Sequence, residues 1–125
     1  MKSKNKILIA EDDPSFYNIL KERFEEEGIA VLLAQDGKEA ASTALRENPD
    51  LLLVDILLPL MNGIEAVKKI REKLPNVPVI FLTNVKDSDY ASSMKECKEA
   101  DCLIKSDVHI EQVVDKVKEK LGIKS

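Results

Sequence analysis

Five short apolar runs alternate along this 125-residue chain with longer segments in which apolar residues recur at helical spacing. The runs are predicted β-strands at residues 6–10, 29–34, 51–54, 79–82 and 102–104. Strands that alternate with amphipathic helices indicate a parallel sheet with helices on both faces. With right-handed crossovers, we expect a doubly wound five-stranded α/β sheet with the strand order 2-1-3-4-5.

The segments between and after the strands predict four well-patterned helices and a weaker one at residues 84–100. Pro14 suits the first position of the first helix, with Asp13 as its N-cap. Ser106 or Asp107 is expected to cap the last helix. The residues expected to face the sheet are Phe16, Ile19, Leu20 and Phe24, then Ala40, Ala41, Ala44 and Leu45, then Ile64, Val67, Ile70 and Leu74, and finally Ile110, Val113, Val114, Val117 and Leu121.

The composition limits the classes of function that this chain can have. It is 44% hydrophobic and 34% charged, which is typical of a folded globular protein. Its net charge of -4 argues against direct nucleic-acid binding, because phosphate contacts need a basic face. No apolar run approaches the roughly 18 residues of a membrane span, and the start lacks a signal-peptide pattern. We therefore expect one cytoplasmic domain over residues 1–125, with no output domain.

Polar side chains follow four of the predicted strands. Glu11 and Asp12 come after the first strand, Asp55 after the third, Thr83 after the fourth and Lys105 after the fifth. The carboxyl ends of parallel strands lie at one edge of the sheet, and in this strand order the four strands are neighbours. We therefore expect these five side chains to surround one crevice.

The residue types in this crevice favour phosphoryl transfer. Three carboxylates in a confined site repel one another, and an oxygen-only ligand set suits Mg²⁺. Asp55 would attack phosphorus while Thr83 and Lys105 contact the phosphoryl oxygens. Each residue alone also has a purely structural interpretation, and only their joint occurrence favours a functional one. The single histidine, His109, is expected to be a surface residue.

Four motifs resemble those of a known family: residues 7–14 (Ile-Leu-Ile-Ala-Glu-Asp-Asp-Pro), residues 55–63 (Asp-Ile-Leu-Leu-Pro-Leu-Met-Asn-Gly), Leu82-Thr83 and Ile104-Lys105. Together they are similar to the receiver domain of two-component response regulators, as in chemotaxis receivers. The resemblance covers nearly the whole chain and implies a flavodoxin-like fold.

The resemblance also implies a role for each site residue. Asp55 would be the phosphoacceptor and one of the Mg²⁺ ligands. Asp12 would bind Mg²⁺ directly, Glu11 would bind it through water, and the backbone carbonyl of Leu57 would be a further ligand. Thr83 and Lys105 would contact the phosphoryl group.

Several positions depart from the family pattern. Cys102 stands where the family usually has an aromatic switch residue, Ser106 where proline usually follows the lysine, and Asn84 where a small residue usually follows the threonine. The two positions that flank the attacking water in the family, Leu57 and Val85, are apolar here. We therefore expect an altered readout and slow self-dephosphorylation.

Three functions are compatible with these residues. The leading one is a Mg²⁺-dependent switch, phosphorylated by a histidine kinase or phosphotransfer protein, that acts through residues 84–121 on a downstream protein or on a second copy in a homodimer. The alternative is a receiver-like protein-binding module that does not switch. A phosphatase is the third, but it would need a second acid two residues after Asp55, where Leu57 stands.

Overall fold

The computed structural model describes residues 4–83, 101–106 and 108–123. Its elements are β1 (Lys6–Ala10), α1 (Pro14–Glu26), β2 (Ala30–Ala34), α2 (Gly37–Glu47), β3 (Leu51–Asp55), α3 (Gly63–Arg71), β4 (Val79–Thr83), β5 (Asp101–Ile104) and α4 (Ile110–Leu121). The helix predicted at residues 84–100 lies outside the described residues.

The five strands form one parallel sheet in the order β2-β1-β3-β4-β5. This confirms the predicted architecture. Each predicted strand is present, with ends that differ from the prediction by no more than one residue. β3 lies at the centre and is buried along its whole length, as expected for a strand covered on both faces.

The two faces of the sheet build two separate cores because side chains alternate along each strand. In β1, Leu8 and Ala10 belong to the core beneath α2 and α3. Ile7 and Ile9 belong to the core beneath α1 and α4. Burial of these continuous apolar runs contributes about 1.5–3 kcal/mol for each large side chain, and it fixes the positions of the strand ends.

The helix starts confirm one predicted cap and correct another. Asp13 is the N-cap of α1, accepting a hydrogen bond from the Ser15 backbone, and Pro14 opens the helix. The prediction that Ser106 or Asp107 caps the last helix was wrong, because α4 begins at Ile110 with exposed His109 at the N-cap. The side chain of Gln112 there accepts a hydrogen bond from the His109 backbone at 2.7 Å.

Two residues that were expected to face the sheet are exposed instead. Ile19 is 50% exposed and Leu45 is 36% exposed, so both lie outside the buried stripe of their helices. Leu74 packs against the core as expected, although it lies after the end of α3. Among the described residues, no helix has the length and apolar character needed to cross a membrane.

Candidate functional site

The carboxyl ends of four neighbouring strands hold the predicted site residues. Glu11 follows β1, Asp55 ends β3, Thr83 ends β4 and Lys105 follows β5. The sheet hydrogen bonding continues past the strand ends, because the Glu11 backbone donates to Ala34 and the Lys105 backbone donates to Thr83. These residues therefore leave the sheet at positions that the pairing of the strands has already fixed.

The ammonium of Lys105 lies between two buried carboxylates. Its Nζ is 2.6 Å from Oε1 of Glu11 and 3.2 Å from Oδ2 of Asp55. Glu11 is completely buried and Asp55 is 6% exposed. Lys105 therefore compensates much of the negative charge that the fold concentrates at this edge.

Backbone groups hold the other oxygens of the two carboxylates. The Asp13 N–H donates to Oε2 of Glu11 at 2.9 Å, and the Leu57 N–H donates to Oδ1 of Asp55 at 3.0 Å. The loops that follow β1 and β3 thereby fix the orientation of each carboxylate. Because every oxygen of the pair accepts a hydrogen bond, burial is compatible with ionised groups.

The ionisation of the site is a balance between burial and charge. Burial raises the pKa of Glu11, against the hydrogen bond from Lys105 that lowers it. Burial also raises the pKa of Asp55, against the charge of Lys105. Burial alone would lower the pKa of Lys105, but its hydrogen bond to Glu11 and the charge of Asp55 outweigh this and raise it.

Three carboxylates at this edge of the sheet could together hold a metal ion. Glu11, Asp12 and Asp55 each offer an oxygen, and these oxygens lie within 4.8 Å of one another. Asp12 is exposed, whereas the other two are buried. This oxygen-only set, open to solvent on one side, fits a hard divalent cation that keeps several waters, such as Mg²⁺. A ligand role for the Leu57 carbonyl remains a prediction.

Three further predicted residues lie on or just after β4 and β5. Thr83 is 1% exposed and lies at the same edge. Cys102 is exposed on β5 and pairs in register with Phe81, and Ser106 is exposed in the turn after Lys105. Asn84 and Val85 lie outside the described residues.

One residue at the site was expected only to pack in the core. The ring of Phe16 lies beneath the ammonium of Lys105, with its centroid 4.7 Å from Nζ. Its position in the first turn of a helix that begins at the site was visible in the sequence. The direction of the ring depends on the packing of α1 against the sheet, which sequence spacing does not specify.

Comparison with known protein families shows which family has this arrangement of residues. The family model of the response regulator receiver domain matches residues 7–118. The chain belongs to this receiver family. The matched residues include each member of the carboxylate and lysine cluster described above.

Known relatives of this receiver domain place it in two-component signalling. It is 33% identical over 120 residues to sporulation initiation phosphotransferase F of Bacillus subtilis, with 96% of each chain covered. It is 38% identical over 85 residues to the PhoP transcriptional regulator of alkaline phosphatase synthesis in the same organism, covering 68% of this chain. The match spans only 35% of that regulator.

The fold is similar to that of a solved receiver domain that contains a metal ion. The receiver domain of a sensor histidine kinase from Pseudomonas aeruginosa superposes with a TM-score of 0.77 at 27% identity, covering 96% of this chain and 99% of that one. That structure holds a magnesium ion in its active-site cleft. Receiver domains thus occur both in regulators and in kinases.

Proposed function

We propose that this receiver domain is a phosphorylation-activated switch that accepts a phosphoryl group on Asp55 from a phosphohistidine of a sensor kinase or phosphotransfer protein. One observation carries the proposal. Asp55 is a buried carboxylate at the carboxyl end of β3, contacted by the Lys105 ammonium and grouped with Glu11 and Asp12. Membership of the receiver family supports the same chemistry.

Mg²⁺ is the cofactor that this site fits. We propose that Asp12 and Asp55 would hold the ion directly and that Glu11, which is completely buried, would hold it through water. The Leu57 carbonyl is the proposed further ligand. When bound, Mg²⁺ neutralises carboxylate charge and the charge that develops on the transferring phosphoryl oxygens.

The residues of the chain account for the remaining steps. An oxygen of Asp55 attacks phosphorus and forms the acyl phosphate, while the phosphorus–nitrogen bond of the donor breaks and its electron pair returns to the imidazole. Lys105 stabilises the phosphoryl oxygens by charge, and Thr83 donates a hydrogen bond to them. The chain thus assists its own phosphorylation, and we propose that it is a phosphoacceptor rather than a turnover enzyme.

Phosphorylation would change the partners of Lys105 and thereby bias an existing conformational equilibrium. We propose that residues 84–121 carry this change to a downstream protein or to a second copy of the chain. The replacement of an aromatic residue by exposed Cys102 favours the alternative, a cytoplasmic binding module that does not switch. In that case Asp55→Asn would leave partner binding unchanged.

Intact mass after incubation with acetyl phosphate tests the proposal. We expect one added phosphoryl group on the wild type with Mg²⁺, none with a chelator, and none on Asp55→Asn. Asp115→Asn, an exposed acid on α4, is the matched control and should be modified like the wild type. An adduct on Asp55→Asn, or no adduct on a wild type shown separately to bind Mg²⁺, would contradict the switch.

The phosphorylated form is expected to decay slowly. The Leu57 side chain is 43% exposed beside the phosphoacceptor and has no polar group to orient water, and apolar Val85 has none either. The double variant Leu57→Asn, Val85→Glu should shorten the half-life of the phosphorylated form roughly tenfold by positioning the attacking water. Leu45→Asn, at another exposed leucine, should not. Equal half-lives for wild type and double variant would exclude this explanation.

A further inference from the structure

Lys105 has a third neighbour that the phosphoryl-transfer mechanism does not use. Besides Glu11 and Asp55, the ring of Phe16 lies 4.7 Å from its ammonium nitrogen, within the roughly 6 Å range of a cation–π interaction. The side chain of Lys105 is only 12% exposed. The attraction between the cation and the ring is strongest where water is excluded in this way.

The backbone of Asp13 fixes both Phe16 and Glu11. The Asp13 carbonyl accepts a hydrogen bond from the Phe16 N–H at 3.1 Å, and the Asp13 N–H donates to Oε2 of Glu11 at 2.9 Å. The Phe16 ring also packs against the core beneath α1 and α4. A backbone hydrogen bond and core packing thus hold Phe16 in place beside the ammonium.

An aromatic face holds a lysine in a way that another carboxylate could not. A further carboxylate would fix the ammonium but would repel the incoming phosphoryl group. A ring attracts the cation through its quadrupole and adds no net negative charge. Phe16 and Lys105 also line the same groove of about 290 Å³.

We propose that Phe16 is a positioning residue for phosphoryl transfer, holding the Lys105 ammonium by a cation–π interaction in the place where it meets the phosphoryl oxygens. This inference rests on the proposed function. Preorganised charge lowers the barrier because the enzyme-like site needs no rearrangement during the reaction. The ring should therefore affect the rate of phosphorylation rather than only the stability of the fold.

Graded fluorination of the Phe16 ring tests the cation–π interaction with little change in shape. Phenylalanines carrying one, two and three fluorines would be placed at position 16, and the initial rate of Asp55 phosphorylation by acetyl phosphate measured with saturating Mg²⁺. We expect a stepwise decrease to about one-fifth of the wild-type rate. Phe16→Leu should show a similar loss, and Phe16→Tyr should retain the rate.

Two controls separate this effect from packing. The same fluorinated series at Phe24, a fully buried residue of the same helix, should leave the rate unchanged. In a Lys105→Met background, fluorination at position 16 should have no effect, because the cation is absent. A loss that persists in that background would show that the ring acts without the lysine and would overturn the inference.

The outcomes also distinguish this inference from the proposed function. If the wild type is phosphorylated but the fluorinated proteins all react at the wild-type rate, the role of Phe16 would be overturned and the proposed function would stand. This holds even if Phe16→Leu is slow. A wild type that gains no phosphoryl group on Asp55 would overturn the proposed function and this inference with it.

Discussion

Lys105→Met is expected to lower the free energy of unfolding by about 3 kcal/mol at neutral pH. In the wild type the ammonium lies 2.6 Å from Glu11 and 3.2 Å from Asp55. Methionine carries no positive charge, so the variant leaves the negative charges of two buried carboxylates uncompensated. Breaking a buried ion pair costs more than the pair contributes, because the remaining charge stays desolvated.

The loss in free energy of unfolding should depend on pH, and the pKa values of Glu11 and Asp55 determine whether it grows or shrinks as pH rises. Burial raises the pKa of both Glu11 and Asp55, and Lys105 opposes that rise. Without the lysine, the folded-state pKa values rise further above those of the unfolded chain. The folded variant then binds protons that the unfolded chain has lost, so its stability falls as pH increases. The deficit should be largest at about pH 7–8 and smaller near pH 5.

Urea unfolding of the wild type and the variant at several pH values measures this deficit. Lys21→Met, which removes the exposed partner of Glu25, is the control and should cost little at any pH. Adding Asp55→Asn to Lys105→Met should recover part of the stability by removing one uncompensated charge. A deficit that stays constant from pH 5 to about pH 8 would show that Lys105 acts through packing instead.

The site could be predicted largely from the sequence because the strands determine it. Glu11, Asp55, Thr83 and Lys105 each stand at or just after the end of a buried apolar run. In a parallel sheet the strand order alone then brings them to one edge. No side-chain packing had to be known to place them together, and the family motifs agreed with that geometry.

The features that the sequence did not predict depend on how the helices, strands and loops pack against one another. Helical spacing does not define where the buried stripe ends, so Ile19 and Leu45 were assigned to the core although both are exposed. Likewise, Leu60 adopts a φ of 68° in the loop after β3, a left-handed conformation that leucine disfavours. Only the path of the whole loop imposes that conformation. The contact of Phe16 with Lys105 has the same origin.

Gly63→Ala is expected to destabilise the domain by about 3 kcal/mol and to impair phosphorylation of Asp55. Gly63 opens α3 and has no positive φ, so alanine would ordinarily favour the helix there. However, a Cβ at this position would lie 2.2 Å from the backbone oxygen of Asp55 and 2.7 Å from Cγ1 of Val54. Because the clash with the Asp55 backbone outweighs the gain in helix propensity, we expect Gly63→Ala to destabilise the domain.

The loop leaves no easy way to relieve this clash. The Gly63 N–H donates to the Ile56 carbonyl at 2.8 Å, which closes the loop directly behind Asp55. Relief therefore requires movement of the end of β3 or of the start of α3, and movement of β3 shifts the carboxylate away from Lys105. The extra methyl group should thus affect both the fold and the chemistry.

Gly122→Ala provides the contrast that isolates close approach from backbone conformation. Gly122 follows α4 with a φ of 74°, and a Cβ there would meet nothing within 4 Å. Alanine at that position should cost only the roughly 1 kcal/mol of a left-handed conformation and leave phosphorylation unchanged. Urea unfolding and the rate of adduct formation with acetyl phosphate, measured on both variants, make the comparison. If Gly63→Ala cost no more than Gly122→Ala, the loop behind Asp55 would be more adaptable than its hydrogen bonding indicates, and the position of Asp55 would not depend on a glycine there.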